Sequence, residues 1–309
     1  MDYTGFTRKF PDNRPLNAFD REHHLLQKKR LDVPLLAQLC VVKINSKCLV
    51  SVDRWYVARG VAALLGAIGI VFGLGGMLML LWSLVVNKLP NENGLWEAIF
   101  IGMAMLASFT AASIWVACRE LFRWTYYPIV LDRTHRQVHV FRLDGTILSV
   151  PWDQVYFTLG RGTGTFGWYN WDVRGLILDA DGVTVRETFA FCITTSRIEH
   201  AHAHWEFLRR YMEEGPAAVL DAVHYCMPVD GRRERFAAGM ARIFAEDARL
   251  PGLMWLTMLP LNYLHAVMRW VVMKTSRVPV FPPEIEARLQ PDPGDIYARD
   301  FSMNPPDLR

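Results

Sequence analysis

Residues 60–87 read GVAALLGAIGIVFGLGGMLMLLWSLVVN, 28 positions without one ionisable side chain. This stretch limits what the chain can become. At about 1.5 Å of rise per residue, a helix of this length exceeds a hydrocarbon core of roughly 30 Å. In lipid an unpaired backbone amide costs several kcal/mol, so a single span must be helical. A second uncharged run, 98–118, follows after a short connection, and the pair predicts a transmembrane hairpin with spans at about 60–86 and 97–118. Small residues at Gly69 and Gly73 in the first span, and at Ala104, Ser108 and Ala112 in the second, predict close helix packing through those faces. Packing within the chain is favoured over homodimerisation through the GxxxG, because the partner helix is already tethered.

Basic residues set the expected orientation. Lys43, Lys47, Arg54 and Arg59 precede the first span, and Arg119, Arg123, Arg133 and Arg136 follow the second. The connection carries only Lys88 against Glu92 and Glu97. Both long flanks are therefore expected in the cytoplasm of a bacterial inner-membrane protein. No apolar h-region occurs in the first 30 residues, so the first span is expected to act as an uncleaved signal-anchor. Trp55, Tyr56, Trp82, Trp96, Trp115 and Trp124 lie where interfacial belts belong.

Charge and cysteines narrow the function. A net charge of +3 argues against nucleic acid, whose binders concentrate basic charge on one face. Five scattered cysteines without a CxxC support neither a disulfide framework nor a zinc knuckle. Neither GxSxG nor HExxH is present, no cofactor is implied, and Cys192 in FAFCI reads as a core residue.

Four segments are expected. Residues 1–56 form an N-terminal arm, loosely ordered to about 30 with solvated His23 and His24. Within 36–54, two β-favouring runs flank Asn45-Ser46 as a hairpin that can pair with later strands. Residues 57–124 hold the spans. Residues 125–216 alternate with period two, and Asp144-Gly145 and Asp181-Gly182 read as type I′ hairpin turns, giving one antiparallel sheet of six or seven strands. A capping box at Ser196 and Glu199 opens a helix that ends at Gly215-Pro216, with Ile198, Trp205, Leu208 and Met212 as its apolar stripe. Residues 217–309 form a helical, membrane-proximal tail. Within it, 250–268 is uncharged but interrupted by Pro251 and Pro260 and flanked by arginines on both sides. It reads as a helix at the interface or docked on the hairpin, with a third span as the alternative.

Three stretches suggest contacts. His200 and His204 share a helix face at zinc-compatible spacing, which a solvated first turn explains as well. Gly160 to Gly167 is Gly-rich, but a strand follows instead of a helix, so a loop is expected in place of a phosphate cradle. Arg161, Trp168 and Tyr169 beside it, and Arg232 and Arg233 before the last helices, are candidate contacts for a protein partner or anionic headgroups.

The order of strands followed by one helix, with Asp132 to Val140, Gly145, Pro151-Trp152-Asp153-Gln154-Val155 and Trp205, resembles the pleckstrin-homology-like (PH-like) domain of bacterial membrane proteins. The whole layout, with Phe281-Pro282-Pro283-Glu284-Ile285-Glu286 in the tail, resembles a bacterial membrane-protein family found beside type VI secretion toxin genes. The resemblance implies an α+β membrane protein in which a PH-like antiparallel sheet with its C-terminal helix follows the hairpin. It also implies a non-enzymatic interaction protein, an immunity or accessory factor whose partners are the bilayer and a toxin. The alternatives are a PH-like lipid-binding or envelope-sensing module and a membrane-associated zinc hydrolase using His200 and His204.

Overall fold

The computed structural model describes residues 10–87, 95–163, 169–247 and 252–309. It divides into two compact units. One contains residues up to 57, 124–238 and 278–309; the other contains 58–123 and 239–277.

Among the described residues the first unit carries nine strands in two antiparallel sheets, where the alternation alone suggested one. Strands β2 (Val41–Ile44), β3 (Cys48–Ser51), β4 (Ile129–Asp132), β5 (Gln137–Phe141) and β6 (Ile147–Pro151) form the first sheet in that order. In the second, β1 (Arg14–Pro15), β9 (Thr184–Ala190), β8 (Tyr169–Leu178) and β7 (Tyr156–Thr163) lie side by side. The expected hairpin before the first span is therefore present as β2–β3. It joins the later strands through β3, with Cys48 opposite Asp132 and Ser51 opposite Ile129. Both apolar helices sit in the connection between these neighbouring strands. Asp53, fully buried, closes that connection: Oδ2 accepts the Trp55 N–H and Oδ1 the Tyr127 N–H, each at 2.9 Å.

The two Asp-Gly hairpins form, but not as type I′ turns. Positive φ occurs only at Gly145 and Gly182, not at the aspartates. Gly145 N–H donates to Arg142 O, and Gly182 N–H to Asp179 O, so each turn closes one residue earlier with glycine in the left-handed position that completes a bulged loop. Asp144 and Asp181 instead accept backbone N–H groups of the residues that follow.

Helix α4 (Ile198–Glu213) is buried along nearly its whole length. Its Trp205 stacks on Trp152, with centroids 5.8 Å apart, and touches Phe157 at 4.8 Å. The capping box expected at Ser196 is not made: Arg197 is the N-cap and gives no side-chain bond, while Thr195 Oγ accepts the Arg197 N–H. The helix does stop at Gly215, whose φ of 95° favours glycine.

Residues 10–40 are not a loose arm. A real capping box, Asn17 with Asp20, starts α1 (Ala18–Glu22). The chain then bonds to β7 through Leu25 N–H to Phe157 O and Leu159 N–H to His23 O, and crosses α4 through Leu36 N–H to Ala203 O. His23 stacks on Phe19 and His24 on Tyr156, so neither is simply solvated. Nor is the tail free. After α7 (Pro283–Leu289), Arg299 exchanges backbone bonds with Ile44 on β2, and the buried Asn304 side chain bridges both backbone groups of Cys226.

The second unit holds α2 (Val61–Asn87), α3 (Leu95–Ala117) and α6 (Gly252–Thr275); α5 (Phe236–Asp247) runs from the first unit into the second. Among the described residues, α2 and α3 are long and apolar enough to cross a membrane, with mean hydropathies of 2.4 and 1.9. Their outer faces expose large apolar side chains; Phe72 is 71%, Met79 75% and Phe100 75% exposed. Trp82, Trp96 and Trp115 are exposed on these helices, whereas Tyr56 and Trp124 belong to the first unit: Tyr56 is buried, and Trp124 packs edge-on to Phe141 and donates to Leu143 O.

Intrachain packing absorbs Gly69 and Gly73. A Cβ at Gly69 would collide with Ser113, one at Gly73 with Thr110, and one at Gly66 would lie 2.7 Å from the Ala117 Cβ. The partner face on α3 is thus Thr110, Ser113 and Ala117, one turn-face away from the expected row. Ala104, Ser108 and Ala112 point outward, and the Ser108 hydroxyl bonds back to Ala104 O. At the foot of the pair, the buried Glu120 carboxylate accepts the N–H groups of Gly60 (2.9 Å) and Ala63 (3.1 Å) in the opening turn of α2. Burial raises its pKa, opposed by the nearby Arg59 and Arg269. Helix α6 docks on α2, with Arg269 against Gly60 and His265 Nε2 donating to Arg59 O at 2.8 Å.

Two outcomes follow from this architecture. In detergent, Gly69→Leu and Gly73→Leu should each destabilise α2–α3 by about 1–3 kcal/mol, whereas Gly75→Leu, where a Cβ meets nothing within 4 Å, should melt like wild type. A fragment of residues 125–309 lacks β2 and β3 and leaves β4 as a bare edge. It should show no cooperative unfolding by circular dichroism.

Candidate functional site

Four separated segments of the first unit meet around a cavity of about 200 Å³. Strand β2 brings Lys43. Its neighbours Val41, Val42 and Ile44 are buried, so the lysine stem leaves the sheet through an apolar surround and its ammonium needs a counter-charge. The turn at Asp230-Gly231, with Gly231 at φ 63°, brings Asp230; α7 brings Glu286. Lys43 Nζ lies 3.2 Å from Asp230 Oδ2 and 3.6 Å from Glu286 Oε1. Burial works against the ammonium charge, but the two carboxylates outweigh it and hold the Lys43 pKa above its usual value. Tyr126, just before β4, adds a buried phenol, whose pKa burial raises. Val50, Phe281 and Leu289 supply apolar wall.

The residues singled out from sequence fall elsewhere. His204 is fully buried in α4, and because its Nδ1 lies 2.9 Å from Leu36 O, that nitrogen must carry the proton. His200 Nδ1 lies 3.5 Å from Thr195 Oγ1. No group of three His, Cys, Asp or Glu side chains is placed to hold a metal ion among the described residues. Arg161 is exposed on β7, its guanidinium 5.7 Å from the Trp171 ring. Tyr169 opens β8, and Trp168 lies outside the described residues. Arg232 lies over the Phe301 ring at 3.6 Å and donates to Pro228 O, so it anchors the tail; Arg233 is exposed.

Gly160 to Thr163 are strand, not loop. Gly160 is required because a Cβ there would run into Asp172 and Arg174 of β8. Asp172, fully buried, is shared by Arg54 and Arg174, which gives this patch one positive charge more than its carboxylate neutralises. A second polar chain crosses the first sheet: His135 Nδ1 and N–H bond Asp132, and His139 Nδ1 lies 2.7 Å from Ser149 Oγ. The His139 Nε2 is 3.8 Å from Asp132, too long for a hydrogen bond. Of the thiols, Cys48 and Cys226 are pushed by burial to about 12 and are not nucleophiles at neutral pH.

The Lys43 cavity was missed from sequence because its parts are far apart in the chain. One signal was available: a lysine amid VVKI in a buried strand demands an acidic partner.

The architecture defines a mixed α+β protein with two helices able to cross a membrane, followed along the chain by strands of antiparallel sheets. Residues 105–292 match a family of unknown function, DUF6708, over more than half of the chain, and the chain belongs to this family. The matched span runs from within α3 through α7 and includes Tyr126, Asp230 and Glu286 but not Lys43. No curated protein and no solved structure matches the chain.

Burial lowers the His204 pKa to about 4, against 6.5 for a free histidine. The neutral ring is the folded form. Below pH about 6.5 the unfolded chain takes the proton more readily, so the stability contribution is complete above 6.5 and is lost as pH falls toward 4. The full swing is about 3 kcal/mol. His204→Gln should therefore flatten the fall in urea midpoint between pH 6.5 and 4 relative to wild type.

Proposed function

We propose that this chain is a membrane-anchored, non-enzymatic interaction protein of the bacterial inner membrane, serving as an immunity or accessory factor for a type VI secretion toxin. The observation that carries the anchoring is the outward apolar surface of α2 and α3, including Phe72, Met79 and Phe100, which water would disfavour and lipid would cover. On this reading the hairpin crosses the bilayer twice and both flanks stay in the cytoplasm, in line with the basic residues that border the spans. The first unit is then the cytoplasmic part. Its two sheets followed by α4 support a PH-like module, elaborated by β1, β2 and the wrapped N-terminal segment.

Support for the interaction role comes from the resemblance of the layout and of the 281–286 tail pattern to proteins encoded beside secretion toxins. The test is co-purification from detergent-solubilised membranes with the toxin encoded next to its gene, together with reporter fusions at Met1 and Asp144. The expected result is a stoichiometric complex and two cytoplasmic reporters. A chain found in the soluble fraction, an exported reporter at either site, or a neighbouring toxin that does not bind would overturn the reading.

A further inference from the structure

The cavity around Lys43 is lined by more negative charge than it neutralises. Lys43 contributes one positive charge; Asp230 and Glu286 contribute two negative ones. An ionised carboxylate offers about four acceptor positions. Among the described residues, Asp230 accepts only from Lys43, and Glu286 is engaged by Lys43 and by Gln290 at 3.1 Å. Acceptor capacity is therefore left over at the cavity.

A second, independent observation comes from Tyr126. It is 3% exposed and lines the cavity, and its hydroxyl makes no hydrogen bond among the described residues. The remaining wall, Val50, Phe281 and Leu289, is apolar. At about 200 Å³ the space is several times the ~30 Å³ share of one water molecule.

We propose that this cavity binds a small primary ammonium compound with an apolar body. Its three N–H donors reach Asp230, Glu286 and the Tyr126 oxygen, and its body lies against Val50, Phe281 and Leu289. One added positive charge offsets the surplus within the lining, outside which Arg232 also acts on Asp230. An anion would deepen the negative surplus. A divalent metal would overshoot it and compete with Lys43 for the same oxygens. Tyr126 and Phe281 make part of the wall aromatic, which suits a cation. The site goes beyond the proposed membrane-anchored role and does not depend on it.

The plain counter-reading is an ion-pair staple that holds the tail helix to β2 and takes no ligand. Isothermal titration of the full chain in detergent at pH 7 separates the two, with phenethylammonium chloride as probe and 2-phenylethanol as its neutral match. Phenethylammonium should bind saturably at one site, and the alcohol should not. Tyr126→Phe removes one oxygen and should weaken binding about tenfold, and Glu286→Gln by tenfold or more. Lys43→Met removes the internal competitor for both carboxylates and should tighten binding, a change of sign that a staple does not produce. No saturable heat up to about 10 mM probe, equal binding of the alcohol, or weaker binding by Lys43→Met would each overturn the proposal. Unchanged affinity in a folded Tyr126→Phe variant would overturn it as well, so the outcome does not rest on variants that disturb the ion pair.

Discussion

The antiparallel pairing of β3 with β4 is the contact on which the rest depends. Four backbone pairs, Cys48–Asp132 to Ser51–Ile129, join strands separated in sequence by both apolar helices. Closing so long a connection is affordable because loop entropy grows only logarithmically, by about 0.6 kcal/mol per doubling of length. The pairing makes the segment before the helices part of the same sheet as the segment after them. Asp53 secures the junction by accepting one N–H from each side of the insertion. Without β3, β4 would be an open edge and β2 would lose the strand it pairs with.

Buried carboxylates and amides repeat this tactic. Glu120 takes two orphan N–H groups at the start of α2, where a carboxylate also opposes the positive end of the helix dipole. Glu213 accepts from Lys28, Arg136 and Trp152 and so joins the N-terminal segment, the first sheet and α4. Asn304 holds the chain end by satisfying both backbone groups of Cys226. Each side chain removes the penalty of a buried, unpaired polar group while linking segments far apart in sequence. Near α7, Lys43, Asp230 and Glu286 converge beside Tyr126 around an open space instead of closing over it.

Legibility in the sequence followed the range of the interaction. The two apolar runs appear as α2 and α3 within a residue or two, because their signal is summed over more than twenty positions. Gly145, Gly182 and Gly215 mark real turns, each with positive φ. Finer local inference was weaker. Ser196 and Glu199 have capping-box spacing, yet the box that forms is Asn17 with Asp20, because tertiary contacts decide where a helix begins. The row Ala104, Ser108, Ala112 has the small residues of a packing face, but Thr110, Ser113 and Ala117 lie against the α2 glycines. Spacing defines several faces of a helix, and only the partner selects one.

By itself, the sequence determined that two uncharged segments become long apolar helices and that alternating segments become antiparallel strands. These outcomes follow from the hydrophobic pattern and its period, which are properties of consecutive residues. Only the tertiary structure decided that the strands divide into two sheets, that the segments 10–40 and 290–309 are wrapped onto them, and that Lys43, Tyr126, Asp230 and Glu286 share one cavity. Those results depend on which distant surfaces bury one another and which charges must then be neutralised, and no local pattern encodes that choice.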